Sequence, residues 1–336
     1  MKLLVTGGAG FIGSAFIRLT MGSGIGHSIV NFDKLTYAGN LENLREIEGN
    51  ASYSFVRGDI CDAAAVEQVF GDCKPDAVVH FAAESHVDRS ILAPEAVVAT
   101  NFMGSFQVLE AAKRHKVLRY IHVSTDEVYG SIDAPYDADE SYPLIASSPY
   151  SSSKAGSDLL ALSYFKTFGL PVVVTRASNN YGPYQFPEKL IPLMISNAID
   201  DQPLPIYGDG QQVRDWLYVD DHCRAILAVL YKGRPGEVYN VGGSRALANL
   251  DVVKRILAKT GKPESLMVTV KDRLGHDRRY AITSEKIEKE TGWRAEMDFE
   301  LGLESTVEWY VANRDWVSHV KSGAYRDYYT QNYGSR

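Results

Sequence analysis

The chain has 336 residues, 45% of them hydrophobic and 23% charged, an ordinary globular composition long enough to bury a sizeable core. A formal net charge of −7 argues against nucleic acid or an anionic membrane surface as a general partner. Three widely spaced cysteines (Cys61, Cys73, Cys223) and eight histidines without ligand spacing predict neither a disulfide framework nor a metal site, and point to a reduced, cytoplasmic setting. The opening Lys2-Leu3-Leu4-Val5 reads as strand, not as an apolar signal region, and no apolar run is long enough to span a bilayer.

Strand candidates at 3–6, 28–32, 53–56, 77–81, 120–123 and 171–175 are β-branched and lack strict polar alternation, as strands covered on both faces do. Helix-length segments separate them. The expected fold class is α/β, a doubly wound parallel sheet of the Rossmann type. Residues 1–177 are expected to form a dinucleotide-binding domain to which 213–240 return. Residues 178–336 should form mainly a smaller, interleaved C-terminal substrate lobe.

The first strand runs into Thr6-Gly7-Gly8-Ala9-Gly10-Phe11-Ile12-Gly13-Ser14. Gly7 permits the tight turn, Gly10 lets backbone approach a pyrophosphate, and Gly13 lets the helix pack close to the sheet. The helix N-terminus then offers free N–H groups to an anion. Asp33 ends the second strand, where a carboxylate accepts from ribose hydroxyls and repels a ribose phosphate. That favours NAD over NADP, although Lys34 adjoins it. Asp59, after the third strand, is either an adenine contact or the start of an Asx turn.

The run Arg119-Tyr120-Ile121-His122-Val123 leads into Ser124-Thr125-Asp126-Glu127-Val128-Tyr129-Gly130. Ligands of open α/β sheets lie at such strand ends, so a hydroxyl and two adjacent carboxylates should face substrate. One acid and one base together suit an elimination, and paired carboxylates split their pKa values. A simple capping turn is the alternative. Further on, Tyr150-Ser151-Ser152-Ser153-Lys154 puts a phenol and an ammonium one helical turn apart, with Ser147 or Ser148 as cap and Pro149 in the first turn. The lysine cation and an oxidised nicotinamide would favour the phenolate, which could take a hydroxyl proton as hydride leaves the same carbon.

After residue 177 the texture changes. Residues 183–187 read as loop, 190–199 as a helix and 216–230 as another helix. The aromatic tail (Trp309, Tyr310, Trp316, Tyr325, Tyr328, Tyr329, Tyr333) suggests packing or subunit contact more than ligand stacking. Polar stretches at 83–90, 178–184, 188–190, 205–208, 214–216 and 273–279 would suit a nucleotide-sugar, with arginine forks for a pyrophosphate.

Taken together, these stretches resemble the extended short-chain dehydrogenase/reductase family over essentially the full length, and within it the dehydratases acting on dTDP-glucose. The glycine loop and the Tyr-Lys pair mark the superfamily. Ser124–Gly130 and Gly275-His276-Asp277-Arg278-Arg279-Tyr280 are specific to the dehydratases. The resemblance implies a catalytic set of Thr125, Asp126, Glu127, Tyr150 and Lys154. Tyr150, aided by Thr125 and Lys154, would deprotonate the C4 hydroxyl while hydride passes to NAD. Glu127 would then remove the C5 proton, Asp126 would protonate the leaving C6 hydroxyl, and hydride would return to C6. It implies cofactor contacts at Gly7, Gly10, Phe11, Ile12, Gly13, Asp33, Lys34, Leu35, Thr36, Asp59, Ile60, Phe81, Ala82, Ala83, Ser85, Thr100, Tyr150, Lys154 and Asn180. Substrate contacts would fall on Ser85, Thr125, Asn179, Glu188, Lys189, Leu190, Pro205, Ile206, Tyr207, Arg214, Asn249, Asp272, Arg273, His276 and Tyr280. Leu274 departs from the proline usual before Gly275-His276, and the 130–150 segment is short. A homodimer built through helices near 101–115 and 152–168 is also implied. A nucleotide-sugar 4-epimerase would share the glycine loop and Tyr-Lys pair but needs no acid/base pair for C5 and C6. A non-catalytic NAD sensor would need none of the five catalytic residues.

Overall fold

The computed structural model describes residues 1–243 and 245–321. Its strands are β1 (Lys2–Thr6), β2 (Ser28–Asp33), β3 (Tyr53–Arg57), β4 (Ala77–His80), β5 (Arg119–Thr125), β6 (Val172–Ala177), β7 (Asn179–Tyr181), β8 (Leu204–Tyr207), β9 (Val213–Tyr218), β10 (Val238–Val241), β11 (Ala246–Ala248) and β12 (Met267–Val270). Seven of them form one parallel sheet in the order β10-β6-β5-β4-β1-β2-β3. The order reverses between β4 and β1. At such a switch point the neighbouring connections leave to opposite faces and open a crevice at the strand ends.

Both faces of the sheet are covered over its centre, where β1, β4 and β6 are buried along nearly their whole length. The period-2 rule sends Leu3 and Val5 to one face and Leu4 to the other. Leu3 and Val5 join a core with Phe16, Ile17, Ile226 and Val229, drawn from α1 (Phe11–Gly22) and from a helix at 219–232. Leu4 joins Val66, Phe70, Leu109 and Tyr164, from α2 (Ala63–Cys73), a helix at 105–114 and one at 149–168. Each fully buried Leu, Ile, Val or Phe contributes roughly 1.5–3 kcal/mol.

The remaining helices are α3 (Val87–Leu92), α4 (Pro94–Val98), α5 (Ser105–Arg114), α6 (Pro149–Phe168), α7 (Leu190–Ile199), α8 (Val219–Lys232), α9 (Asn249–Thr260), α10 (Glu285–Thr291), α11 (Phe299–Ala312) and α12 (Arg314–Val320). Helix α6 starts where the serines place it. Ser148 accepts from the Ser151 N–H, Ser151 returns the bond to the Ser148 N–H, and Pro149 occupies the first turn. It ends at Gly169, which is left-handed at φ 69°.

The stretch 216–230, expected as one helix, divides. Trp216, Leu217 and Tyr218 complete β9, which pairs with β7 in parallel and β11 antiparallel. Large aromatic side chains favour the pleated surface. Helix α8 begins only at Val219, with Asp220 and Asp221 in its first turn to meet the positive dipole end. Within 213–240, α8 packs on the main sheet and β10 joins it through β6, whereas β9 stands in the smaller three-stranded sheet.

A second core joins α7, α9 and α11 through Ile191, Leu193, Ile195, Val252, Ile256 and Leu303. The aromatics of the tail that are described pack there. Trp309 lies 4.4 Å from Tyr184 and 5.1 Å from Trp316, ring centre to ring centre, and Tyr310 is fully buried. Tyr325, Tyr328, Tyr329 and Tyr333 lie outside the described residues.

Candidate active site

One long cleft follows the switch point and continues between the sheet and the later helices. The glycine loop on its floor is local in sequence. Gly7 sits at φ 72°, and a Cβ there would come within 2.6 Å of the Ala82 nitrogen. A Cβ on Gly13 would lie 2.3 Å from the Gly7 carbonyl oxygen, whereas Gly10 meets only that oxygen at 3.3 Å. Gly10 therefore faces open space, the role of the glycine that lets a pyrophosphate approach. Helix α1 has no side-chain cap and no acidic residue in its first turn, so its N–H groups are bare for an anion.

Asp33 receives the Ala9 N–H on one oxygen at 2.9 Å and the Leu35 N–H on the other at 2.8 Å. Each oxygen keeps a further acceptor site for a ribose hydroxyl. Lys34 Nζ lies 2.6 Å from Asp59. The lysine beside Asp33 is thereby tied away from a ribose phosphate. Asp59 also accepts from the Cys61 N–H at 2.9 Å, so it forms the Asx turn and still lines the cleft. These residues fit an NAD-type dinucleotide.

Gly7, Gly10, Phe11, Ile12, Gly13, Lys34, Thr36, Ile60, Phe81, Ala82, Ala83, Ser85, Thr100 and Asn180 join Asp33 and Asp59 along this floor. Leu35 does not line it. Leu35 is left-handed at φ 57° and serves through its N–H on Asp33.

The side chains expected to react converge at the β5 end. Thr125 caps the 3-10 turn Asp126–Tyr129, accepting from the Glu127 N–H at 3.3 Å and donating to Asp126 Oδ1 at 3.3 Å. Its hydroxyl also faces the Tyr150 phenol and opposes the rise that burial gives it. Asp126 is buried at 2% exposure, and its Oδ2 has no hydrogen-bond partner. Burial, then Glu127 and Asp215, push its carboxyl well above the usual range, which favours the protonated, proton-donating form. Burial likewise raises the Tyr150 phenol. Lys154 Nζ donates to the Val123 carbonyl at 2.8 Å. Burial lowers its ammonium to about 8, and Asp158, one helical turn on, opposes the fall.

The far end of the cleft draws on distant segments. Asn179, Glu188, Lys189, Leu190, Pro205, Ile206, Tyr207, Arg214, Asn249, Arg273, His276 and Tyr280 line it. Lys189 Nζ donates to the Ser85 carbonyl at 2.6 Å, and Tyr207 donates to Asp88 at 3.0 Å. Burial raises Glu188 to about 7. Arg214 donates to the Asp277 carbonyl at 2.9 Å and stacks 4.1 Å over the Tyr280 ring. Asp272 stands outside the lining. It is exposed and holds His276 at 2.6 Å and Gln212 at 3.1 Å. Burial then lowers His276 to about 4, so its ring is neutral.

Sequence reasoning missed Gln212, His222 and Val253, which also line the cleft. Gln212 gives its amide nitrogen to Asp272 and leaves its buried carbonyl oxygen unpartnered. No local spacing signals these residues. Gln212 reaches the cleft from just before β9, His222 from α8 and Val253 from α9.

A switch-point cleft with a bare helix end, a Tyr–Lys pair and an acid pair beside it defines a dinucleotide-dependent enzyme of the extended short-chain dehydrogenase/reductase class. The chain belongs to the GDP-mannose 4,6 dehydratase family, whose match covers residues 4–306. It is 50% identical to a dTDP-glucose 4,6-dehydratase of Shigella flexneri over the whole of both chains. It superposes on a Streptomyces venezuelae dTDP-glucose 4,6-dehydratase with NAD and TYD bound, with a TM-score of 0.93 and 48% identity over 96% of this chain and 100% of that one. A Thermus thermophilus UDP-glucose 4-epimerase in complex with NAD is more remote, with a TM-score of 0.87 and 29% identity over 93% of this chain and 100% of that one.

Proposed function

We propose that this protein converts dTDP-glucose to dTDP-4-keto-6-deoxyglucose and water, with NAD as a resident cofactor. The observation that carries this reading is Asp126, a carboxyl buried beside Glu127 with one oxygen unpartnered in the cleft. A 4-epimerase has no step that needs it.

Residues 1–177 with α8 and β10 serve as the NAD-binding domain, and the rest mainly binds the nucleotide-sugar. Bound along Gly7–Gly13 and Asp33, NAD would accept a hydride from the sugar and give it back. Tyr150 takes the C4 hydroxyl proton, and the Lys154 ammonium stabilises its phenolate. The resulting 4-keto group acidifies the C5 proton, which Glu127 removes. Asp126 Oδ2 protonates the C6 oxygen, which leaves as water. Asn179, Arg214, Asn249, Arg273 and the apolar Leu190 and Ile206 hold the nucleotide portion.

Leu92, Val98, Met103, Leu159, Phe165 and Phe168 are exposed on or beside α3 to α6. A homodimer that pairs α5 and α6 would cover this apolar surface, and light scattering at twice 37.2 kDa would support it. No helix among the described residues is long and apolar enough to cross a membrane, and all three cysteines are free. Both fit a cytoplasmic enzyme, which cell fractionation tests. Incubation with dTDP-glucose is the test of function. A 4-keto-6-deoxy product supports the dehydratase, a C4 epimer supports the epimerase, and no conversion supports a sensor.

A further inference from the structure

The elimination leaves a proton imbalance between two side chains. Over one turnover Tyr150 gains the C4 hydroxyl proton. Glu127 takes a proton from C5 and later returns one there. Asp126 gives its proton to the C6 oxygen, and the hydride lost from C4 is regained at C6. Tyr150 then holds one proton too many and Asp126 one too few. The net reaction, sugar to keto-sugar plus water, neither consumes nor releases a proton. One proton must therefore pass from Tyr150 to Asp126 in every cycle.

We propose that the Thr125 hydroxyl carries this proton, accepting it from the Tyr150 phenol while handing its own to Asp126 Oδ1. The Tyr150 O–H bond breaks, a Thr125 O–H bond forms, and the former Thr125 proton joins Asp126 Oδ1, from where a half-turn of the carboxyl brings it to the substrate side. The inference rests on the dehydratase reading.

The geometry supplies the Thr125–Asp126 link and sets the Tyr150 phenol beside the same hydroxyl. Thr125 Oγ1 donates to Asp126 Oδ1 at 3.3 Å, and the same hydroxyl acts on the neighbouring Tyr150 phenol, opposing its rise. The Glu127 N–H donates to the same oxygen at 3.3 Å. A hydroxyl has one donor and two acceptor sites. With Asp126 taking the donor and the Glu127 N–H one acceptor site, the other acceptor site is left for the phenol. Asp126 is divided in the same way, Oδ1 toward the relay and the unpartnered Oδ2 left for substrate. Bulk water is a poor rival, since Asp126 is 2% and Tyr150 8% exposed.

A phenol gives its proton to a carboxylate only if their affinities are brought together. Burial, Glu127, Asp215 and the opposing Arg214 set the Asp126 carboxyl well above its usual range. Burial, Glu127, Asp126 and Asp158 also hold the phenol up. The Lys154 ammonium and the positive nicotinamide pull it down. That positive charge is present again at the end of the cycle, when the reset is due.

The test mixes the full-length, NAD-loaded protein with dTDP-glucose in weakly buffered solution containing a pH indicator. An internal relay gives one equivalent of product with no transient proton release. Release of a proton followed by uptake would show that Tyr150 and Asp126 reset through solvent, and would overturn the proposal. Thr125→Val and Thr125→Ser add a second readout. The valine variant should show a burst, with steady-state turnover roughly tenfold or more below its own first turnover, because only later turnovers need the reset. The serine variant should abolish the burst. Equal first-turnover and steady-state rates in Thr125→Val would contradict the relay. If the valine variant does not fold, the indicator trace of the parent protein decides. If the parent forms no 4-keto-6-deoxy product, the dehydratase reading itself fails and the relay falls with it.

Discussion

The glycine loop, Asp33 and the Tyr150–Lys154 pair of the cleft are set by neighbours in sequence, whereas its far end is assembled from strangers. Gly7, Gly10 and Gly13 lie within one strand–helix turn, Asp33 ends the next strand, and Tyr150 and Lys154 share one face of α6. At the far end, Lys189 reaches back to Ser85, Tyr207 to Asp88, and Arg214 across to Asp277. A local site is rigid because secondary structure sets it. A non-local site holds its shape only while the lobes stay packed, and it can change its ligand without disturbing the cofactor. The epimerase keeps the fold and is likewise complexed with NAD at 29% identity.

Breaking the floor should cost the most. Tyr150→Phe removes the proton acceptor for C4 oxidation, and the rate of nicotinamide reduction should fall by roughly 10³- to 10⁴-fold. NAD retention, measured after gel filtration, should stay near the parent value. Unchanged reduction would mean that Tyr150 is not the base.

Asp126 and Glu127 sit where floor and far end meet. Asp126→Asn and Glu127→Gln should leave the first hydride transfer largely intact and slow elimination roughly a hundredfold. Nicotinamide absorbance should rise and persist in stopped-flow traces. Deuterium exchange at C5 should fail in Glu127→Gln and persist in Asp126→Asn. Parent rates in both variants would make the pair structural.

The pH dependence separates the two regions more finely. Burial lowers the Lys154 ammonium to about 8. Below that value the ammonium supports the phenolate, and above it the support is lost. The rate of C4 oxidation should fall roughly tenfold per pH unit on that alkaline side. The same shift adds stability as pH rises from about 8 toward the ordinary lysine value, because the unfolded chain then binds more protons. The loss of rate is therefore not unfolding caused by this group. An alkaline limb unchanged in Lys154→Met would assign it elsewhere.

The smallest effect belongs to the far end. Asn249 has a buried side-chain oxygen without a partner. Asn249→Ala should raise KM for dTDP-glucose by roughly three- to tenfold, the worth of one hydrogen bond. NAD retention and kcat should hold. A loss of NAD would show that the two regions are not separable.

The same contrast governs what the sequence reveals. The glycine triad, the Asp33 position and the four-residue spacing of Tyr150 and Lys154 are short-range patterns, so they are legible in the order of residues alone. The serine cap of α6 is equally legible in Ser148 and Pro149. The Lys34–Asp59 pair is not, because it bridges the ends of adjacent strands 25 residues apart. Trp216–Tyr218 read as helix because aromatic residues beside an α-helical run carry no period of their own. Pairing with β7 and β11 decides them. Gln212 and His222 enter the cleft through the packing of β9 and α8, and nothing in their immediate neighbours announces it.

The central claim is that one cleft oxidises C4, removes water across C5 and C6, and returns the same hydride. The direct measurement uses dTDP-glucose deuterated at C4, with the product read by NMR and mass spectrometry. Deuterium recovered at C6 of dTDP-4-keto-6-deoxyglucose, with loss of one water, is the expected result. Deuterium retained at C4 of an epimerised sugar, or a 4-keto-6-deoxy product whose deuterium has gone to solvent, would contradict it.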